Sequence, residues 1–259
     1  MSRKGFFLPY RHAERIRPPA TYPELEPLLA AHEPAFLDTL ARAERHAAAL
    51  ARMVGPAPLP RLDQDWFPRL DAAVTYALLL DRRPRLVLEI GSGHSTRFSA
   101  RALAEAGSGR LVAVDPEPRA PLPPGVEHRP HLLGEAELAL ARQLGPGDVL
   151  FVDSSHLLVP GSDVDFLVCR LLPLLGPGVL LHLHDIFLPD AYPEPWAWRG
   201  YNEQAIVAAL LLGGRFRPIW ASHWMVTRRA ERIAASPLAT LPLLPGAFET
   251  SFWLERAGS

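Results

Sequence analysis

The stretch of sequence that decides the fold is LVLEIGSGHSTRF, at residues 86–98. It begins as a short apolar run that carries Glu89, continues as a turn with Gly91 and Gly93, and ends in a segment compatible with a helix. This order is typical of a buried parallel strand, a tight turn and a helix N-terminus. Glycines let a ligand approach the bare backbone beside the unpaired N–H groups of the helix. The stretch therefore predicts a binding site for a small-molecule cofactor.

Two classes of cofactor-binding protein use this arrangement. Dinucleotide enzymes prefer G-x-G-x-x-G, in which the third glycine lets the helix pack closely on the strand. Thr96 stands at that third position and disfavours a nicotinamide-dependent enzyme. The form E-x-G-x-G, from Glu89 to Gly93, resembles the first motif of class I S-adenosylmethionine-dependent methyltransferases. A strand-to-helix turn that binds no ligand is the third interpretation.

A second acid follows at the right distance. Residues 111–114 (LVAV) predict a second buried strand that ends at Asp115, 22 residues after Gly93. An acid at that strand tip can accept hydrogen bonds from both hydroxyls of a ribose. The alternative role of Asp115 is to cap a turn before Pro116.

Short apolar runs then alternate with segments of helical periodicity. This alternation predicts an α/β fold with a doubly wound, mostly parallel sheet of seven strands and an N-terminal helical extension. Residues 1–32 are expected to form an extended arm. The predicted strands are residues 85–90, 111–114, 126–129, 149–152, 179–184, 215–220 and 251–255, and the predicted helices are residues 33–54, 67–80, 95–106, 135–144, 164–175 and 202–212.

Composition excludes several classes of protein. A net charge of −1 gives no basic footprint for nucleic acid. The single cysteine, Cys169, excludes an intrachain disulfide and is expected to be a buried, inert thiol. No apolar run is long enough to span a membrane, and the FFL run at residues 6–8 is too short for the core of a signal peptide. We therefore expect no membrane partner and a cytoplasmic location.

The predicted strand ends are unusually polar. The fourth strand is followed by Asp153, Ser154, Ser155 and His156, and the fifth leads to His182, His184 and Asp185. In open α/β sheets, ligands bind beyond the carboxyl ends of the strands. These side chains are therefore the candidates for chemistry.

The blocks IGSGHSTRF, FVDSSH, GSDVDF and LHLHDIFLP, with NEQ at residues 202–204, resemble a bacterial Methyltransferase-24-like group of class I methyltransferases. The resemblance covers about residues 63–256 and extends more distantly to macrolide sugar O-methyltransferases and a cephalosporin-tailoring protein. It implies a Rossmann-like class I methyltransferase domain at residues 61–259, preceded by an arm and helix at residues 1–60. It also implies that the last strand, SFWLE, runs in reverse between the fifth and sixth strands.

The resemblance further implies roles for single residues. Glu89, Gly91, Ser92 and Gly93 would line the methionine and ribose region of S-adenosylmethionine, and Asp115 would bind its ribose. Asp153 would face the cofactor amino group or a metal, with Ser154 also in the cofactor site. In the sugar methyltransferases, acids at the places of Asp153 and Asp185 hold Mg²⁺. Their usual third acid or amide is absent here, and the flanking His184 suits Zn²⁺, Mn²⁺ or Fe²⁺ better.

Three residues are the predicted catalytic set: His156, His184 and Asp185. A neutral imidazole can take a proton from a substrate hydroxyl near pH 7, and Asp185 could hold such a histidine or cap the next segment. Alternation along a strand places His182 and His184 on one face and Asp185 on the other, which predicts a core role for His182. Three aromatic residues after the fifth strand either stack on an acceptor or pack a long loop: Trp196, Trp198 and Tyr201.

The sequence thus predicts an S-adenosylmethionine-dependent methyltransferase that modifies a hydroxyl of a small molecule or glycan, with a divalent metal at Asp153 and Asp185 as an option. A NAD-dependent oxidoreductase is the first alternative. The second is a non-catalytic cofactor-binding or assembly protein of the same fold. The N-terminal arm either covers the active site or pairs two subunits in a homo-oligomer.

Overall fold

The structure, a computed structural model, describes residue 15 and residues 17–258. Its centre is a seven-stranded sheet with the strand order β3-β2-β1-β4-β5-β7-β6. All neighbouring pairs are parallel except those of β7, which runs antiparallel to both β5 and β6. The strands are β1 (Leu86–Ile90), β2 (Arg110–Val114), β3 (Glu127–Arg129), β4 (Val149–Val152), β5 (Leu180–Leu183), β6 (Phe216–Ala221) and β7 (Phe252–Arg256).

The apolar sequence of the central strands explains why they lie in the middle of the sheet. Every residue of β1, β4 and β5 is buried, as expected for parallel strands that are covered on both faces. Leu88 pairs with Val112 on one side and with Leu150 on the other. The predicted sheet, including the reversed strand between the fifth and sixth, is confirmed.

Helices connect and cover the strands. Helix α4 precedes β1 in the chain and α5 follows it. These two helices pack against each other. The helices are α1 (Glu26–Ala30), α2 (Glu33–Glu44), α3 (Ala47–Ala51), α4 (Arg69–Arg82), α5 (His94–Ala106), α6 (Leu138–Ala141), α7 (Asp163–Phe166), α8 (Gln204–Leu212), α9 (Ser222–Arg228) and α10 (Ala230–Ala234).

The N-terminal segment differs from the expected extended arm. A 3-10 turn at Pro23–Leu25 leads directly into α1. Prolines at the start of both segments favour a helix, because their missing N–H groups would be unpaired there anyway. Leu29 of α1 is fully buried. Residues 1–14, including the FFL run, lie outside the described part of the chain.

Helix α2 fixes this segment to the sheet. It packs against α4 and against the edge strand β6, and its residues Phe36 and Leu40 are fully buried. The Thr39 hydroxyl donates a hydrogen bond of 2.8 Å to the carbonyl oxygen of Ile219 in β6. Apolar burial and this bond together hold the N-terminal helices on the β6 side of the molecule.

The predicted helix at residues 164–175 is less regular than expected. Helix α7 gives way to a π-helical segment at Leu167–Leu171 and a 3-10 turn at Leu172–Leu174. Pro173 lacks the N–H that would continue the α-helical ladder, which accounts for the change of winding at the end. Cys169 lies on the outer side of this segment and is exposed, so the prediction of a buried thiol was wrong.

No helix within the described residues combines the length and the apolar character needed to cross a membrane.

Candidate active site

The carboxyl ends of β1, β4 and β5 meet at one cleft. All three predicted catalytic residues, His156, His184 and Asp185, line it. Four of the seven predicted cofactor residues also line it: Ser92, Gly93, Asp153 and Ser154. The parallel strands explain this convergence, because their carboxyl ends lie on the same edge of the sheet.

The other three predicted cofactor residues lie beside the cleft rather than in its lining. Asp115 is half-buried at the end of β2, and its Oδ2 accepts hydrogen bonds from the Ser92 N–H (2.6 Å) and the Ser92 hydroxyl (3.0 Å). Its Oδ1 accepts from the N–H of Glu117 at 2.8 Å. Asp115 therefore caps the turn before Glu117, which was its alternative interpretation, and also fixes the turn after β1. Ribose binding by Asp115 stays a prediction.

Only glycine fits at position 91, because the end of β4 lies against the backbone there. Its φ angle is +79°, and a Cβ atom there would stand 1.8 Å from the carbonyl oxygen of Asp153. The close approach of the β4 end to the β1 turn therefore demands glycine, whatever binds in the cleft.

Glu89 is the buried acid of the first motif. Its Oε1 accepts a hydrogen bond of 2.6 Å from the Ser95 hydroxyl, while its Oε2 is buried without a partner. Burial raises the pKa of this carboxyl to about 8. The group is therefore able to hold a proton at neutral pH and to donate a hydrogen bond.

The helix that follows the turn begins with a side-chain cap. The Thr96 hydroxyl accepts a hydrogen bond of 2.9 Å from the Gly93 N–H, so the residue that replaces the third glycine stabilises the start of α5. His94, the first residue of α5, lines the cleft with its Nδ1 buried and unpartnered. Burial, assisted by the nearby Arg97 and Arg61, lowers the pKa of His94 to about 4.

Two imidazoles and two carboxylates form the centre of the cleft. His156 Nε2 lies 3.3 Å from Asp153 Oδ1 and 3.4 Å from Asp185 Oδ2. His184 Nδ1 lies 3.5 Å from Asp153 Oδ1 and 3.4 Å from Asp185 Oδ1. Both histidines are nearly fully buried, so their contacts are made away from bulk water and are correspondingly strong.

On its other ring nitrogen, each histidine contacts a third carboxylate. Glu203 Oε2 lies 2.8 Å from His156 Nδ1, and Asp71 Oδ2 lies 3.1 Å from His184 Nε2. Both acids are fully buried, and neither was among the predicted site residues. Glu203 lies in the NEQ block and could have been found there. Asp71 lies in α4, before the glycine-rich motif, and its only sequence signal is that an acid interrupts an apolar run.

The carboxylates favour the protonated imidazoles. Burial opposes the charge on His156, but Asp153 and Glu203 beside it hold its pKa well above the ordinary value. Burial likewise opposes the charge on His184, and Asp153, Asp71 and Asp185 raise its pKa well above the ordinary value. Burial acts to raise the pKa of Asp153, but His184 and His156 hold it well below its ordinary range.

The backbone is strained at two of these residues. His156 and Asp185 have φ angles of +59° and +57°, in the left-handed region, which costs non-glycine residues roughly 1–2 kcal/mol each. The left-handed turn after β5 brings the Asp185 carboxylate to His184. The expectation that these two side chains project to opposite faces was therefore wrong, because the strand ends at Leu183.

His182 has a different environment, two residues before His184. Its ring stacks on Phe151 with a centroid distance of 3.7 Å, and its Nε2 lies 2.9 Å from the Ser251 hydroxyl oxygen. It is fully buried, and burial, with the nearby His184, lowers its pKa well below the ordinary value. His182 is a neutral core histidine, as the alternation along β5 predicted.

An aromatic wall closes one end of the cleft. Trp196 and Tyr201 line it, and the Tyr201 ring lies 4.6 Å from the His156 ring. Trp198 is 82% exposed and does not line the cleft. Two of the three aromatic residues that the sequence singled out therefore line the cleft.

The strand ends do not form a metal site. Within the described part of the chain, no three or more His, Cys, Asp or Glu side chains are arranged to hold one metal ion. Asp153 and Asp185, the candidate ligands, each face imidazole nitrogens at 3.3–3.5 Å instead. The geometry does not fit the metal option, and no step of the chemistry is assigned to a metal.

Comparison with known proteins finds a match to one family model. Residues 88–186 match the family model described as "Methyltransferase domain". No curated protein matches the chain. Solved structures similar to it include the O-methyltransferase TomG from Streptomyces achromogenes, involved in tomaymycin synthesis and in complex with SAM, at 20% identity over 83% of this chain and 90% of that chain, with a TM-score of 0.43. Another is the O-methyltransferase from Bacillus cereus in complex with SAH, at 16% identity over 85% and 91% of the two chains, with a TM-score of 0.44.

The strand order, with a reversed seventh strand between the fifth and sixth, agrees with the family match. Residues 88–186, which include most of β1 and all of β2, β4 and β5, are therefore similar to a methyltransferase domain.

Proposed function

We propose that the protein is an S-adenosylmethionine-dependent O-methyltransferase whose acceptor is a hydroxyl group of a small molecule or glycan. The observation that carries the proposal is a set of buried polar atoms without partners around one cleft. His94 Nδ1, Ser154 Oγ and Arg199 Nε belong to residues that line the cleft, and Glu89 Oε2 and Glu203 Oε1 belong to residues that contact the lining. Buried polar groups in proteins are nearly always hydrogen-bonded, so the orphan atoms in the cleft lining favour a polar ligand there.

The residues of the β1 turn and the β4 end fit the cofactor. Ser92, Gly93 and Ser154 line the cleft, and the carboxylates of Asp153 and Asp185 favour a cation there. S-adenosylmethionine, when bound, supplies an electrophilic methyl group on a positively charged sulfur. The described residues contribute binding, alignment and exclusion of water.

His156 is the residue best placed to handle the proton of the acceptor. Glu203 holds its Nδ1, which leaves Nε2 directed toward Asp153 and Asp185 in the cleft. A neutral His156 would take the hydroxyl proton at Nε2. Because the surrounding carboxylates raise its pKa, the neutral base becomes available only as the pH rises, and turnover should increase with pH on the alkaline side of neutrality.

The test uses two adjacent serines. Ser154 has a buried hydroxyl without a partner in the cleft lining, whereas the Ser155 hydroxyl is exposed and already donates to Asp163. Binding of S-adenosylmethionine, S-adenosylhomocysteine and NAD is measured by calorimetry. We expect micromolar affinity for the first two, a loss of roughly two- to tenfold in Ser154→Ala, and no loss in Ser155→Ala.

Failure to bind S-adenosylhomocysteine, or a preference for NAD, would overturn the proposal. Equal effects of the two serine substitutions would remove the Ser154 assignment. Cofactor binding with no methyl transfer to any member of a panel of hydroxylated acceptors would favour the non-catalytic alternative.

A further inference from the structure

A cation stands in the aromatic wall of the cleft. Arg199 ends the 3-10 helix at Glu194–Arg199 and lines the cleft. Its guanidinium carbon lies 4.0 Å from the ring centre of Trp196, 5.3 Å from that of Tyr201 and 5.6 Å from that of Trp198. Aromatic faces attract a guanidinium electrostatically. The three rings therefore hold the Arg199 side chain in place without neutralising its charge.

The guanidinium has unused donors. Within the described residues, no carboxylate forms an ion pair with Arg199, and its hydrogen bond to another side chain runs from an Nη1–H to the Tyr201 hydroxyl oxygen at 3.2 Å. Its Nε–H is buried and unpartnered. Arg228, by contrast, is paired with Asp190 and Glu26. Because a guanidinium carries five N–H donors in a fork that matches an oxyanion, Arg199 is available to a ligand in the cleft.

The cleft is lined by charges of both signs. Asp153 and Asp185 lie at the strand ends, while Arg199 belongs to the aromatic wall, where the Tyr201 ring contacts both His156 and Arg199. A second cation, Arg119, lines the cleft beside Trp66. An anionic group would be repelled by the carboxylates and attracted by the guanidinium. The cleft would thus orient an acceptor, with its hydroxyl toward His156 and its anion toward Arg199.

We propose that Arg199 is an anion-binding subsite for the methyl acceptor, which therefore carries a carboxylate or phosphate besides the hydroxyl that is methylated. This inference rests on the proposed function for the identity of the reaction. The subsite itself rests on Arg199 and the rings around it. The acceptor is therefore an acidic hydroxy compound.

The test uses three probes that differ at one group: 4-hydroxybenzoate, 4-hydroxyphenyl phosphate and the neutral 4-hydroxybenzamide. Each is titrated into protein saturated with S-adenosylhomocysteine. We expect at least one anion to bind roughly tenfold or more tightly than the amide, as for hydrogen bonds to a charged partner. The tighter of the two anions distinguishes a carboxylate from a phosphate acceptor.

Variants assign the effect to Arg199. Arg199→Gln should abolish the preference for the anion, and Arg199→Lys should keep part of it, because an ammonium retains the charge but not the fork. Arg142→Gln is the matched control, since Arg142 is exposed and does not line the cleft. Circular dichroism checks that each variant is folded.

The outcomes separate the two proposals. No binding of S-adenosylhomocysteine to the wild-type protein would overturn the proposed function. Binding of S-adenosylhomocysteine, together with no anion preference or with a preference that Arg199→Gln leaves intact, would overturn the anion subsite alone.

Discussion

Replacing Gly91 with alanine tests how closely the ends of β1 and β4 approach each other. The new Cβ would stand 1.8 Å from the carbonyl oxygen of Asp153 and 2.7 Å from its carbonyl carbon. No rotamer change can relieve this contact, because both partners are backbone atoms. The Gly91 N–H also donates to the Val114 carbonyl at 3.0 Å, and the Asp153 N–H to the Ile90 carbonyl at 2.9 Å, so a shift would strain both bonds.

The magnitude follows from two terms. A left-handed backbone, here with φ at +79°, costs an alanine roughly 1–2 kcal/mol. Forcing an extra methyl group into a filled space costs about 1–3 kcal/mol more. We therefore expect Gly91→Ala to lower the free energy of unfolding by about 2–5 kcal/mol.

Gly107 provides the matched control. It follows α5 with φ at +60°, and a Cβ there would meet no atom within 4 Å. Gly107→Ala should cost only the left-handed term, roughly 1–2 kcal/mol. The difference between the two variants isolates the contact with Asp153.

The assay is urea unfolding of both variants beside the wild type, followed by titration with S-adenosylhomocysteine. Gly91→Ala should lose more stability than Gly107→Ala and should also bind the ligand more weakly, because Asp153 is displaced. Equal losses of stability in the two variants would refute the close approach of the two strand ends.

Two further predictions concern the carboxylates behind the histidines. Asp71 accepts hydrogen bonds from the Ser222 hydroxyl and from the N–H groups of Thr250 and Ser251, besides its contact with His184. Asp71→Asn should therefore lower the free energy of unfolding by about 3–5 kcal/mol. The control is Asp81→Asn, which should lower it by less than about 1 kcal/mol because the ion pairs of Asp81 lie at the surface. Similar losses for the two variants in urea unfolding would contradict this prediction. Glu203→Gln should lower the pKa of His156, because one of the carboxylates that raise it is removed, and should move the rising part of the plot of turnover against pH to lower pH. An unmoved profile would show that Glu203 does not act through His156.

The sheet could be predicted because its strands are short, apolar and separated by clear turns. Every residue of the run at Leu86–Ile90 is buried, so a nearly continuous apolar sequence was itself the signal. The irregular winding after α7 could not be predicted from periodicity, since the π-helical segment at Leu167–Leu171 keeps an apolar pattern.

The centre of the site could be predicted from the same logic. Asp153, His156, His184 and Asp185 all follow parallel strands, and such strands deliver their ends to one edge. The carboxylates that hold the histidines could not be found in this way. Glu203 lies 47 residues from His156 and Asp71 lies 113 residues from His184, so only the folded chain brings each pair together.

The histidines of β5 show what separates a core residue from a site residue. His182 and His184 are two residues apart, and their rings lie nearly parallel at 6.0 Å. The nearest polar partner of His182 is the neutral Ser251 hydroxyl, and burial keeps that imidazole uncharged. His184 has Asp71 on one nitrogen and Asp153 with Asp185 near the other, and these carboxylates favour its charged form. Since both rings are buried, the neighbouring carboxylates rather than the position in the strand give His184 its chemistry.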